Sequence, residues 1–168
     1  PSSGDHILVY LTGDFQSFIN YLDAFKEEQF IIYGYNKEER SDHLHYKPFS
    51  STGFLDDLAS CKAVMATAGF TLITEALYLK KPYFAMPIKG QFEQEINAHF
   101  LQNMGYGINA DMPNRTDIDD FLNQAPDLAA RLADYPAQGN QEILAKVDEL
   151  LADNCALARQ FHRLRKSI

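Results

Sequence analysis

The chain has 168 residues, of which 46% are hydrophobic and 23% are charged, and its formal net charge is −8. This length suits one domain with a substantial core, and the proportions are ordinary for a globular protein. The negative charge argues against nucleic-acid binding, which requires clustered cations, and no apolar run approaches the length of a transmembrane helix.

The first five residues lack the basic start and the apolar stretch of a signal peptide. Because the chain also has no initiator Met, we interpret residues 1–5 as a linker or a cut site and the chain as a fragment. Short runs rich in β-branched and aromatic residues then predict strands at residues 7–11, 29–33, 43–46, 63–66, 83–86 and 106–108. Amphipathic segments between them predict helices at residues 15–25, 54–60, 71–79 and 92–103.

Strands that are apolar throughout are typical of a parallel sheet covered by helices on both faces. The alternation of strands and helices therefore predicts an α/β fold within residues 6–110, a Rossmann-like doubly wound parallel sheet of about six strands. In such sheets, ligands bind outside the carboxyl ends of the strands.

Residues 111–168 predict a helical C-terminal tail. Thr116 and Asp119 have the spacing of a capping box, and the helix that they begin would run to about residue 135 with a break at Pro126. Further helices are predicted at residues 140–151 and 153–165.

The two cysteines, Cys61 and Cys155, show no pairing pattern. We interpret both as buried free thiols, which favours a reducing compartment and a cytoplasmic location.

The segment with the most chemical information is residues 64–107. A predicted strand ends in the small-residue turn that contains Gly69, and a helix begins directly after it. Gly69 lets a ligand approach the backbone, and the unpaired N–H groups of a helix start favour a phosphate. The Thr71 hydroxyl could add a donor.

Thr71 and Glu75 are four residues apart and share one helix face, so Glu75 could accept hydrogen bonds from a ribose diol. The alternative is that Glu75 is a solvated helix residue and that the glycine serves only the turn. Glu93 and Gln94, after the next strand, suit sugar hydroxyls. They are equally typical of a polar first helical turn, where Glu93 complements the helix dipole.

These elements occur in a specific order: Gly-x-x-x-x-Thr-Glu-Ala-Leu, then Lys-Pro-Tyr-Phe-Ala-Met-Pro, then Glu-Gln-x-x-Asn-Ala and Met-Gly-Tyr-Gly. The combination resembles the C-terminal, donor-binding domain of GT-B glycosyltransferases. It is similar to UDP-glycosyltransferases and to the bacterial cell-wall N-acetylglucosaminyltransferase that acts on a lipid-linked acceptor. The resemblance is specific over residues 64–107 and is compatible in element order from residue 7 onward.

The resemblance implies that Gly69, Phe70 and Thr71 line a diphosphate site and that Glu75 holds the ribose. Gly13, in the turn after the first strand, would face the phosphates from the other side.

By the same likeness, Glu93 and Gln94 would contact the donor sugar. The loop around Phe49, Ser50 and Phe54 would approach the nucleobase.

The sequence departs from its relatives at three places. Thr67-Ala68-Gly69 replaces a His-Gly-Gly or Ser-Gly-Gly motif, which removes a phosphate contact from His. Glu93 stands where many relatives have Asp, and Lys80 where many have Gly.

Other signals favour structural roles. Asp117 and Asp119 have the spacing of a metal-binding Asp-x-Asp motif, but their place at a helix start favours dipole complementation, and we expect no metal site. Asp56 and Asp57 are typical of a solvated helix face. The histidines are scattered, and only His45, near the predicted base loop, is kept as a candidate catalyst.

Residues 1–168 thus resemble one nucleotide-sugar-binding domain of an enzyme that transfers a sugar from a nucleoside-diphosphate sugar, with UDP favoured, to an acceptor hydroxyl. In that family the acceptor site and catalytic base lie on an N-terminal domain, which we interpret as missing from this fragment. We expect the fragment to need no cofactor, to bind donor and to turn over little alone, with peripheral membrane association of the full-length enzyme as an option. The alternative is a non-catalytic donor-binding subunit of a two-chain transferase. An epimerase of related fold would need catalytic acids that the sequence does not show.

Overall fold

The computed structural model describes residues 4–13, 15–136 and 140–152. Contacts divide the chain into two compact units, Pro1–Tyr135 and Pro136–Ile168. The elements in chain order are β1 (His6–Tyr10), α1 (Gln16–Leu22), β2 (Gln29–Tyr33), β3 (Glu39–Arg40), β4 (Leu44–Tyr46), α2 (Ser51–Ser60), β5 (Ala63–Thr67), α3 (Phe70–Tyr78), β6 (Tyr83–Met86), α4 (Phe92–Asn103), β7 (Gly107–Asn109), α5 (Arg115–Leu132) and α6 (Gln141–Ala152). The described part of the second unit contains α6.

The strands form one sheet in the order β3-β4-β2-β1-β5-β6-β7. Every neighbouring pair is parallel except β3 and β4. The predicted doubly wound α/β fold is therefore confirmed, with seven strands in the described residues. Sequence analysis missed β3 because its two residues, Glu39 and Arg40, are exposed and polar and leave no apolar run to detect.

The sheet is covered on both faces, which explains why the interior positions of its central strands are apolar. In β1, Ile7 and Val9 pack with α1 and α5 on one face. Leu8 points to the other face, where it packs with α2, α3 and α4. All three side chains are fully buried, and each contributes roughly 1.5–3 kcal/mol by leaving water.

Helix α5 begins with a capping box, but at different residues from those predicted. The Asn114 side chain accepts hydrogen bonds from the backbone N–H groups of Thr116 and Asp117, and Asp117 Oδ2 accepts one from the Asn114 N–H at 2.8 Å. The prediction of Thr116 and Asp119 as the box was wrong by two residues. Asn and Asp cap helices as well as Ser and Thr do. The sequence therefore contains two overlapping candidate capping boxes, Asn114 with Asp117 and Thr116 with Asp119.

The predicted break at Pro126 was also wrong, because α5 runs through this residue. Proline within a helix costs roughly 3 kcal/mol. Here Ile118 and Phe121 before it and Leu128 and Leu132 after it are all buried. Keeping both pairs in the core requires one continuous helix, and this burial exceeds the local cost.

Cys61 is a buried free thiol, as predicted, and burial raises its pKa to about 11. Cys155 and the predicted helix over residues 153–165 lie outside the described residues. Within the described part of the chain, no helix is long and apolar enough to span a membrane.

The capping box gives a first testable prediction. Asn114→Ala removes the acceptor for two helix-start N–H groups and should cost about 1 kcal/mol, which corresponds to a melting temperature lower by roughly 3 °C. Differential scanning calorimetry would measure this loss. The matched control is Asn123→Ala, which removes only an exposed contact with Asp119 on the same helix and should change little. Equal losses in both variants would contradict a capping role for Asn114.

Candidate functional site

The strand order creates a crevice at the carboxyl ends of β1 and β5. The chain leaves β1 towards β2 and β4, and then crosses back to add β5 on the opposite side of β1. Loops leaving the two strands therefore diverge at this point, where doubly wound sheets bind ligands. Thr12, which follows β1, and Thr67, which ends β5, approach here with their hydroxyl oxygens 3.2 Å apart.

Helix α3 begins at this crevice without a side-chain cap. Its N-cap is Gly69, no acidic residue lies in its first turn, and its first backbone bond runs from the Ile73 N–H to the Gly69 carbonyl. A Cβ atom added to Gly69 would meet no atom within 4 Å, so open space lies in front of the helix start. The first-turn N–H groups are left to solvent or a ligand, and the helix dipole favours an anion there.

The turn before α3 is held from two neighbouring elements. The Tyr83 hydroxyl of β6 donates to the Thr67 carbonyl at 2.8 Å, and Asn97 Nδ2 of α4 donates to the Ala68 carbonyl at 3.1 Å. The Thr67 carbonyl also accepts from the Gly69 N–H at 2.8 Å. These contacts fix the direction of the α3 start. Asn97 stands in the Glu-Gln-x-x-Asn motif, but the sequence alone did not assign it this role.

A pocket of about 310 Å³ lies between α2 and α3. It brings together four of the residues that sequence analysis selected, Phe49, Phe54, Thr71 and Glu75. Thr71 and Glu75 are one helical turn apart, and among the described residues neither side chain has a hydrogen bond or an ion pair. The lining residues are Tyr10, Phe49, Ser51, Phe54, Leu55, Thr71, Leu72 and Glu75.

Aromatic rings form the other wall of this pocket. The Phe54 ring is buried, with centroids 5.3 Å from Tyr10 and 5.6 Å from Phe49. Phe49 itself is 58% exposed. An exposed ring supported by buried ones offers a firm surface on which a planar group can stack. Tyr10 was missed by sequence analysis because it lies within an apolar strand and has no motif around it.

Ser50 acts as the N-cap of α2, since its hydroxyl accepts a hydrogen bond from the Gly53 N–H at 3.5 Å. This cap starts the helix at Ser51, earlier than the predicted residue 54. Ser50 lies between two pocket-lining residues, Phe49 and Ser51, but its hydroxyl is hydrogen-bonded to its own helix.

The remaining predicted residues lie outside this pocket. Glu93 is exposed in the first turn of α4. Gln94 Oε1 accepts from the Ile88 N–H at 3.1 Å, and its amide donates to Gln91 Oε1, so Gln94 secures the loop after β6. Gly13 has a φ of +129°, a left-handed conformation that favours glycine, in the turn between β1 and α1.

A second pocket of about 260 Å³ lies at the carboxyl ends of β6 and β7. Pro87 and Met112 provide apolar surface, and Lys89, Glu95 and Asp111 provide charge.

Asp57 was wrongly interpreted as part of a solvated helix face. Its Oδ2 atom accepts a hydrogen bond from the Tyr33 hydroxyl at 2.6 Å and pairs with Lys47 Nζ at 2.7 Å. Burial, together with Asp57, raises the pKa of Tyr33 above its ordinary value. This network fastens α2 to the strand layer and so supports the aromatic wall.

His45 lies on β4 outside the pocket lining. Burial lowers the pKa of its imidazole, and the positive charge of Lys47 lowers it further.

Among the described residues, no group of three or more His, Cys, Asp or Glu side chains could hold a metal ion. Asp117 of the Asp-x-Asp spacing belongs to the capping box, in agreement with its interpretation as a helix-start residue.

The fold is shared with solved glycosyltransferases. Spinosyn forosaminyltransferase SpnP matches with a TM-score of 0.70 and 15% identity over 90% of this chain and 45% of that chain. SnogD from Streptomyces nogalater matches with a TM-score of 0.57 and 16% identity over 86% of this chain and 44% of its own. Spinosyn rhamnosyltransferase SpnG complexed with thymidine diphosphate matches with a TM-score of 0.59 and 15% identity over 79% and 41%, respectively.

The chain thus spans less than half the length of these structures, and their fold agrees with the GT-B resemblance. A comparison with curated proteins gives no match. The family model described as Glycosyl transferase family 1 matches residues 1–126, three quarters of the chain. The chain belongs to glycosyl transferase family 1.

Proposed function

We propose that residues 1–168 act as one donor-binding domain that holds a nucleoside-diphosphate sugar, with UDP as the favoured nucleotide. The full-length protein would transfer the sugar to an acceptor hydroxyl. The observation that supports this most strongly is the pocket between α2 and α3, which joins an uncapped helix start to Thr71, Glu75 and the exposed ring of Phe49.

The diphosphate would bind at the start of α3. The first-turn N–H groups and the dipole attract an anion, and Gly69 places no side chain in its way. The Thr71 hydroxyl would donate a further hydrogen bond, and the backbone of Phe70 completes this turn. Gly13 would approach the phosphates from the β1 side of the crevice.

The nucleoside would occupy the pocket itself. Glu75 lies one turn beyond Thr71, about 6 Å along the helix axis, and its free carboxylate can accept two hydrogen bonds from a ribose diol. The base would stack against Phe49, which Phe54 supports from beneath, with Ser50 at the edge. The volume of about 310 Å³ is at the small end of ligand pockets and suits a nucleoside better than a whole nucleotide sugar. The sugar would therefore extend beyond it, towards Glu93 and Gln94.

In this proposal, charge that develops on the leaving diphosphate is stabilised by amides fixed before the reaction begins. The acceptor site and the catalytic base would lie on a further domain, and the enzyme would act in the cytoplasm without a cofactor. The second candidate is a donor-binding subunit of a two-chain transferase, which the same pocket would serve.

Ligand binding by the isolated chain can be tested by thermal shift with UDP, GDP and dTDP. A nucleotide that binds only the folded state raises its stability by about 2.7 kcal/mol at a concentration of 100 Kd. We expect UDP to give the largest shift. A larger shift with dTDP would retain the site and revise the base, whereas no shift with any nucleotide would contradict the proposed function.

Glu75→Ala should weaken UDP binding at least about tenfold, because charged hydrogen bonds to the ribose are lost. Isothermal titration calorimetry would measure this change. The control is Glu27→Ala. Glu27 is an exposed carboxylate before β2, at the amino ends of the parallel strands and away from the pocket, so this variant should bind UDP as the parent does. Unchanged affinity in the Glu75 variant would remove this residue from the site.

Asn97→Ala should weaken UDP binding by several-fold, because the Ala68 carbonyl would lose the contact that directs the α3 start. Asn103→Ala is the matched control, since its amide reaches only His99 on the surface of the same helix. If both variants bound UDP like the parent, the turn would not depend on Asn97.

The isolated chain should bind UDP yet release no measurable UDP from UDP-sugars with added acceptors, because no acceptor site is proposed on it. A coupled assay for UDP would follow the reaction. Appreciable turnover by this chain alone would place both acceptor and base within its 168 residues and contradict the division of roles.

A further inference from the structure

A stripe of large apolar side chains runs along the exposed side of α4. Phe92, Ile96, Phe100 and Met104 follow one another at intervals of four residues from the first helical residue to the C-cap. Their exposed fractions are 72%, 38%, 59% and 56%. Helices that cover a sheet normally show polar residues on this side. On α4 the exposed polar residues, such as His99 and Asn103, share the surface with this apolar stripe.

Helix α3 adds two exposed aromatic side chains on the same face of the sheet. Both α3 and α4 pack on the same face of the sheet, and both contact β6. Phe70 and Tyr78, at the two ends of α3, are 62% and 55% exposed. Large apolar side chains each have roughly 150–250 Å² of surface, so the six together expose about 700 Å². The largest apolar patch of a typical monomer is roughly 300–600 Å².

We propose that this α3–α4 face, formed by Phe70, Tyr78, Phe92, Ile96, Phe100 and Met104, binds the same face of a second copy in a two-fold symmetric homodimer. The exposed area is close to the roughly 800 Å² that each partner buries in a stable interface. A two-fold dimer requires a surface that is complementary to itself.

The spacing on α4 meets that requirement. Side chains at intervals of four residues form a ridge, and two such ridges interdigitate when helices cross at about −50°, the commonest packing of helix pairs. A two-fold axis between Ile96 and Phe100 would pair each ridge with its copy.

Charge favours a second copy over a membrane. Glu93 and Glu95 are the charged residues of the α4 first turn, and a two-fold axis near the helix centre separates the two acidic ends. The cytoplasmic surface of a bilayer is negative and attracts Lys and Arg, whereas this chain has a formal net charge of −8.

The α4 part of the proposed interface is separate from the nucleotide site, and the two regions share only Phe70 at the start of α3. The Asn97 side chain donates to the Ala68 carbonyl before α3, and the Gln94 side chain accepts from the loop after β6. Disruption at Phe100 should therefore separate the copies without changing the affinity for UDP.

Sedimentation equilibrium of the 168-residue chain tests the proposal. We expect a mass twice the 19.1 kDa of one chain at a concentration of about 100 µM, and Phe100→Glu should raise the dimer Kd at least about tenfold. The control is Tyr21→Glu, which places the same charge at an exposed aromatic position of α1 on the opposite face of the sheet, and it should remain dimeric. Circular dichroism would confirm that each variant is folded. Met104→Lys replaces Phe100→Glu if that variant does not fold.

A monomer at about 100 µM would overturn the proposal, as would a dimer that survives both Phe100→Glu and Met104→Lys. Equal dissociation by Tyr21→Glu would locate the interface elsewhere. Binding of the parent chain to phosphatidylcholine–phosphatidylserine vesicles that Phe100→Glu abolishes would assign the face to a membrane instead.

Discussion

The candidate site depends on one constraint, the change at β1 in the direction in which successive strands are added to the sheet. Because the chain places β2 on one side of β1 and β5 on the other, the loops that follow these strands separate and leave a crevice. Two hydroxyls, from Thr12 and Thr67, meet at its floor. The position of α3 follows from this arrangement, since its start must lie directly above the end of β5.

The crevice becomes a specific site through polar contacts made behind it. Tyr83 and Asn97 hold the two carbonyls before α3, while Asp57 joins Tyr33 and Lys47 behind the aromatic wall. Each of these contacts uses a half-buried or buried group, where water competes less for hydrogen bonds. The groups left without such partners, at the α3 start and on its exposed side, are those available to a ligand.

Particular residues show how far sequence reasoning could go. The apolar runs predicted six of the seven strands, because burial on both faces leaves few polar positions within them. The motif around Gly69 and Glu75 selected residues that the fold brings to the crevice, since helix periodicity alone fixes their separation. Sequence analysis misjudged Pro126 and Asp57. The helix continues through Pro126 because residues along the whole of α5 are buried, and Asp57 is engaged because it accepts a hydrogen bond from a tyrosine 24 residues away.

The sequence by itself determined the α/β class, the helix that begins after Gly69 and the family to which these patterns point, all of which follow from local periodicity and backbone preference. Only the tertiary structure decided that Tyr10 and Phe54 support Phe49, that Asn97 directs α3, and that α3 and α4 leave an apolar face uncovered. These features depend on contacts between residues distant in the chain. Such contacts exist only after the strands have taken their order in the sheet, and the spacing of residues does not encode them.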